Sequence, residues 1–115
     1  LTAGNHHLLN ETAISRMKRG AVLVNTARGG LVDSIALHAA LQDGQLSFAA
    51  LDVHETEPIP ADYALKSLSN VILTPHVAGV TADSFHAMIS EAMRNIELFE
   101  KGRFAEIEHC KYRFY

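Results

Sequence analysis

The sequence holds a single cysteine, Cys110, and no tryptophan. One cysteine cannot close an internal disulfide or build a thiolate metal cluster. No apolar run approaches the ~20 residues that a helix needs to cross a bilayer. No basic-then-apolar stretch opens the chain as a signal peptide would. Neither sign of charge dominates: 10 Lys and Arg stand against 13 Asp and Glu, for a net charge of −3. A surface built to hold nucleic acid would instead be basic. His6, His7, His38, His54, His86 and His109 have no carboxylate or cysteine beside them at metal-ligand spacing, so they read as surface or packing residues and no metal is assigned. Together these absences exclude a membrane or nucleic-acid partner and point to a reducing, cytoplasmic setting.

What is present is ordinary for a globular chain. The hydrophobic fraction is 48% and the charged fraction 20%, enough apolar material for one core and too much for wholesale disorder. A chain of 115 residues corresponds to one small domain. There are no internal repeats or low-complexity segments.

Hydrophobic periodicity divides the chain. Residues 11–19 read as a short helix stopped by Gly20. Ala21-Val22-Leu23-Val24-Asn25-Thr26 reads as a buried strand, broken by Arg28-Gly29-Gly30. Asp33 or Ser34 can cap a helix over about 34–43 that ends at Gly44. Phe48 to Val53 reads as a second strand, followed by a polar loop with Pro58 and Pro60. A helical turn is expected over 63–68 and a third strand at Val71-Ile72-Leu73. Residues 82–101 predict one long helix with Phe85, Ile89, Ala92, Ile96 and Phe99 on a buried stripe. The tail 103–115 is weakly patterned. Near-continuous apolar strands joined by a helix predict an α/β fold with a parallel sheet of about three strands, covered on both faces.

In open parallel sheets, ligands gather beyond the carboxyl ends of the strands. Thr26, Ala27 and Arg28 follow the first strand. Asp52, Glu55 and Glu57 follow the second, and Thr74, Pro75 and His76 follow the third. An arginine fork binds a carboxylate in two-point geometry. Histidine is suited to proton transfer near neutral pH, and a glutamate beside it stabilises the imidazolium. That set fits interconversion of a 2-hydroxy and a 2-oxo acid.

Three blocks, VNTARGGLVD (24–33), AALDVHETEP (49–58) and LTPHVAG (73–79), in this order, resemble the D-isomer-specific 2-hydroxyacid dehydrogenases. The resemblance covers about residues 1–102. It implies the C-terminal half of a Rossmann-type NAD(P)-binding domain ending in the long helix, with 103–115 as a tail. It also implies catalytic roles for Arg28, as the substrate-binding arginine, Glu57 rather than Glu55, and His76 as acid/base. Cofactor contacts would come from Thr26, Ala27, Arg28, Asp52, His76 and Gly79, with Asp52 toward the nicotinamide carboxamide. The implied partners are NAD or NADP and a 2-hydroxy or 2-oxo acid, in a parent enzyme expected to be a homodimer.

Formate dehydrogenases of this superfamily carry glutamine where Glu57 stands. Corepressors of the C-terminal-binding-protein type carry an aromatic residue, usually tryptophan, soon after the histidine that aligns with His76. Here that stretch is Val77-Ala78-Gly79-Val80, which favours a dehydrogenase. The family's G-x-G-x-x-G turn has no counterpart in the sequence. The chain is therefore expected to be a fragment, inactive alone, whose long helix would expose its stripe or pack it against another copy. The alternative is a non-enzymatic interaction module or a corepressor-like dinucleotide sensor.

Overall fold

The computed structural model describes residues 1–107. Cys110 and His109, and most of the expected tail, lie outside the described residues. The order of elements is α1 (Glu11–Ser15), β1 (Ala21–Asn25), α2 (Ser34–Gln42), β2 (Leu46–Leu51), β3 (Val71–Leu73) and α3 (Ala82–Glu100). Single 3-10 turns lie at Gly29–Leu31, Ala64–Ser67 and Phe104–Glu106. Two compact units are present, Leu1–Ala78 and the segment from Gly79 onward.

In the first unit the three strands form a parallel sheet in the order β1-β2-β3. Val22 pairs with Phe48 and Asn25 with Leu51, while Ala49 pairs with Val71 and Leu51 with Leu73. This register ends all three strands at one edge. Asp33 starts α2 by accepting hydrogen bonds from the Ile35 and Ala36 N–H groups at 3.0 and 3.1 Å, which satisfies two of the helix's orphan donors. Ile14, Leu23, Leu37, Leu41, Leu46 and Leu51 form the core between the helices and one sheet face.

Three expectations need correction. Helix α1 is five residues long, ending at Ser15 rather than near Arg19. The Gln45 side-chain amide donates to the Met17 and Ile14 carbonyls at 2.9 and 3.3 Å. A side chain from a distant segment thus satisfies carbonyls that a longer helix would have used. The sheet is also covered on one face only. Val22, Val24 and Ile72 are 60%, 66% and 52% exposed, although their apolar character reads as a strand buried on both sides. Strand β2 begins two residues earlier than its apolar run suggested. Gly44, at φ +74°, reverses the chain and lets Leu46 pair with Ala21.

In the second unit Thr81 caps α3. Its hydroxyl accepts from the Ser84 N–H, and the Ser84 hydroxyl accepts from the Thr81 N–H, both at 3.1 Å. Phe85, Ile89, Ile96 and Phe99 are exposed, and Leu98 is the buried residue of the helix. The stripe read from the sequence is present and faces outward.

Leu46 is fully buried, so Leu46→Ala should cost ~2–5 kcal/mol. Val22→Ala, on the bare face, should change stability by less than ~0.5 kcal/mol. Urea denaturation of both variants measures the difference, and comparable losses would contradict the one-sided core.

Candidate active site

The turn after β1 is built by Asn25. Its side chain is buried, donates to the Arg28 carbonyl at 3.0 Å and accepts from the Ala27 N–H at 3.1 Å. Thr26, Ala27 and Arg28 are left exposed at the sheet edge. Gly29 then passes against the backbone beyond β2. A Cβ placed there would sit 2.0 Å from the His54 carbonyl carbon, so only glycine allows the two loops to touch.

The segment after β2 carries two glutamates with different partners. Glu57 Oε2 lies 2.9 Å from His76 Nδ1, and Glu57 Oε1 accepts the His54 N–H at 2.8 Å. Glu55 faces elsewhere: it accepts the Ser34 N–H at 3.0 Å and meets His7 Nε2 at 3.1 Å. The structure therefore brings Glu57, not Glu55, to His76.

The turn after β3 hangs on Asp52. Its carboxylate accepts the Thr74 hydroxyl at 2.5 Å and the Val77 and Ala78 N–H groups at 2.8 Å each. Between these bonds stands His76 at φ +59°, a left-handed conformation costing about 1–3 kcal/mol that persists only where its surroundings impose it. The buried His54 adds a brace, its Nε2 meeting the Thr74 carbonyl at 3.0 Å.

The electrostatics follow from these bonds. The hydrogen bond with His76, reinforced by the His54 N–H, holds the Glu57 carboxyl below its usual range. An ionised carboxylate only accepts, so His76 Nδ1 must carry the proton between them. That leaves Nε2 as the ring atom free to exchange protons. The Thr74 hydroxyl, with the Ala78 and Val77 N–H groups, likewise lowers Asp52 against the opposing effect of burial. Arg28 makes no ion pair among the described residues, its side chain donating only to the Ala27 carbonyl. It lines a cavity of about 310 Å³ together with Glu57 and His76. On its other side the Glu57–His76 pair borders an apolar cavity of about 550 Å³ lined by Pro58, Ile59 and Pro75.

Arg28, Glu57 and His76 are thus gathered around one space, with Asp52 behind them. Gly79 belongs to the second unit. Sequence reading placed Thr74 at the strand end and His54 among surface or packing residues, but assigned no positioning role to them or to Asn25, which hold the others in place. Asn25 and Thr74 carried a signal, being hydrogen-bonding side chains at strand ends, whereas His54 carried none.

The edge of the parallel sheet thus gathers His76, Glu57 and Arg28 in an α/β domain. The model of the D-isomer specific 2-hydroxyacid dehydrogenase NAD-binding domain matches residues 1–78, and the chain belongs to that family. It is 44% identical over 102 residues to a glyoxylate reductase of Thermofilum pendens, covering 89% of this chain and 30% of that protein. It is 50% identical over 84 residues to an (S)-sulfolactate dehydrogenase of Chromohalobacter salexigens, covering 73% and 27% respectively. Among solved structures, a D-isomer specific 2-hydroxyacid dehydrogenase from Xanthobacter autotrophicus, complexed with NADPH and MES, superposes with a TM-score of 0.79 at 37% identity. That match covers 89% of this chain and 41% of the other. The D-lactate dehydrogenase of Lactobacillus jensenii with NAD+ gives 0.77 at 33% identity, over 89% and 34%. The chain spans about 30% of the length of the curated relatives it matches.

Asp52 and Glu57 both ionise more readily in the fold than at their ordinary values of 3.8 and 4.5. A depressed carboxyl stabilises the fold above its unfolded value, and that contribution is lost as pH falls through the folded value. Thermal melts should therefore hold level down to about pH 5 and decline below it. Asp52→Asn should melt lower at neutral pH and show a shallower acid decline. An unchanged acid limb in that variant would contradict the assignment.

Proposed function

We propose that this chain supplies the acid/base and substrate-binding groups of an NAD(P)-dependent D-2-hydroxyacid dehydrogenase that reduces a small 2-oxo acid. The observation that carries this reading is the Glu57–His76 pair, at 2.9 Å, bordering the same cavity as Arg28, which makes no ion pair among the described residues. Arg28 holds the substrate carboxylate as a two-point fork and draws electron density from the adjacent carbonyl. His76 gives its Nε2 proton to the carbonyl oxygen during reduction and removes it during oxidation. Glu57 holds the ring through Nδ1 and compensates the imidazolium charge.

The donor set at the sheet edge suits a nicotinamide. Asp52 accepts three hydrogen bonds, and a carboxylate has room for about four, so one acceptor site remains for the carboxamide N–H. The exposed turn at Thr26, Ala27 and Arg28 and the stretch from His76 to Gly79 would flank it. When bound, the nicotinamide supplies or accepts the hydride. Residues 1–102 make up the C-terminal half of the cofactor domain in this reading. The whole enzyme works in the cytoplasm as a homodimer. The isolated chain, without a glycine-rich pyrophosphate turn, is inactive or nearly so, because hydride transfer needs the dinucleotide held.

A second reading draws on the exposed apolar face of α3: a non-enzymatic module that associates through that helix. Light scattering separates the two, since a strictly monomeric, folded chain counts against association. The retained Arg28, Glu57 and His76 favour the enzyme.

In a family-length protein carrying this chain, His76→Ala should lower turnover by about 10²–10⁴ with NADH binding retained. Arg28→Ala should chiefly raise the KM for the 2-oxo acid and also slow turnover. Full activity in His76→Ala would overturn the assignment. For the isolated chain, micromolar NADH binding by fluorescence titration would contradict the expected inactivity.

A further inference from the structure

Bordering the same cavity, a second cluster has no part in the proposed reduction. His6, His7 and Glu55 each place one donor atom within 4.8 Å of the other two. His6 and Glu55 line the cavity that Arg28 and His76 also border. We infer that His6, His7 and Glu55 form a binding site for one transition-metal dication of the zinc type.

Donor chemistry selects the metal. Two imidazoles and one carboxylate suit zinc, nickel or copper rather than magnesium or calcium, which take oxygen donors. Donor spacing agrees. Bonds of ~2.0–2.1 Å in tetrahedral geometry set neighbouring donors roughly 3.3 Å apart. His7 Nε2 and Glu55 Oε2 stand 3.1 Å apart. The His6 ring is exposed and stacked on His7 with centroids 3.9 Å apart, and one of its nitrogens already lies within 4.8 Å of the other two donors.

The surroundings are those of a supported site. Asp33 Oδ2 lies 3.8 Å from His7 Nδ1, too far for a hydrogen bond, and adds negative charge beside the cluster; Asp33 is itself fixed by the Ile35 and Ala36 N–H groups. The second oxygen of Glu55 is fixed by the Ser34 N–H at 3.0 Å. His7 sits at φ +50° with its N–H donated to the Gly30 carbonyl at 2.8 Å, so its backbone is held in place. A Cβ at position 30 would come within 3.3 Å of the His6 ring, so Gly30 leaves that ring its space. With both histidines neutral, Glu55 and Asp33 give the cluster two negative charges to attract a dication. Three protein ligands leave a fourth position for water or for an anion in the cavity.

Sequence spacing hides this set, because Glu55 lies 48 residues from His7. The inference does not depend on the proposed reduction, and its readout is metal binding. Zinc chloride is titrated calorimetrically into the whole chain at pH 7.5, with a His109→Ala, Cys110→Ala double variant as background. The expected result is one zinc per chain in both. His7→Ala should lower the affinity ~100-fold or more, and Asp33→Asn should lower it by a smaller factor through loss of the nearby negative charge. Glu55→Gln, checked for folding by circular dichroism, should lose at least ~10-fold, and X-ray absorption should show nitrogen and oxygen at ~2.0–2.1 Å. The site is overturned by absence of saturable binding, by affinity unchanged in both His7→Ala and folded Glu55→Gln, by loss of binding in the background variant, or by sulfur in the first shell.

Discussion

The candidate site depends on the buried Asp52 carboxylate at the end of β2. It accepts one hydroxyl and two backbone N–H groups from the turn after β3. Those bonds hold His76 in a backbone conformation it would not adopt unaided. His54 works alongside it, joining the Thr74 carbonyl with its ring and Glu57 with its N–H. The Glu57–His76 pair is therefore clamped from both sides before any ligand arrives. Preorganisation of this kind lets a proton move without prior rearrangement of the groups that move it.

Much of the architecture was legible because parallel strands announce themselves. The apolar runs at 21–26 and 71–73 required no partner information, and Gly20 and Gly44 marked the turns. Placing Arg28, His76 and the carboxylates Asp52, Glu55 and Glu57 at one edge followed from topology alone, since parallel strands end at one edge. Other features depended on tertiary context. Helix α1 stops early because Gln45, from beyond α2, takes its carbonyls. The bare sheet face could not be read from Val22, Val24 and Ile72, whose apolar character signals a covered strand whether or not the cover is there. Glu55 and Glu57 are near-identical in sequence context, and only the resemblance to the family chose between them. The fold separates them physically, sending one to His7 and the other to His76.

Two kinds of apolar surface remain exposed, one on the sheet and one along α3. Arg28, Glu57 and His76 are present and gathered at one sheet edge, whereas no G-x-G-x-x-G turn occurs in the sequence.

The most direct test of the clamped pair is the imidazole ring of His76 in the chain itself. Two-dimensional 15N–1H spectra of histidine-labelled protein report which ring nitrogen carries a proton and whether it is hydrogen-bonded. The account predicts a protonated Nδ1 on His76 whose signal shifts in Glu57→Gln and loses its single, ordered position in Asp52→Ala. A His76 ring protonated only at Nε2, or unaffected by either substitution, would contradict it.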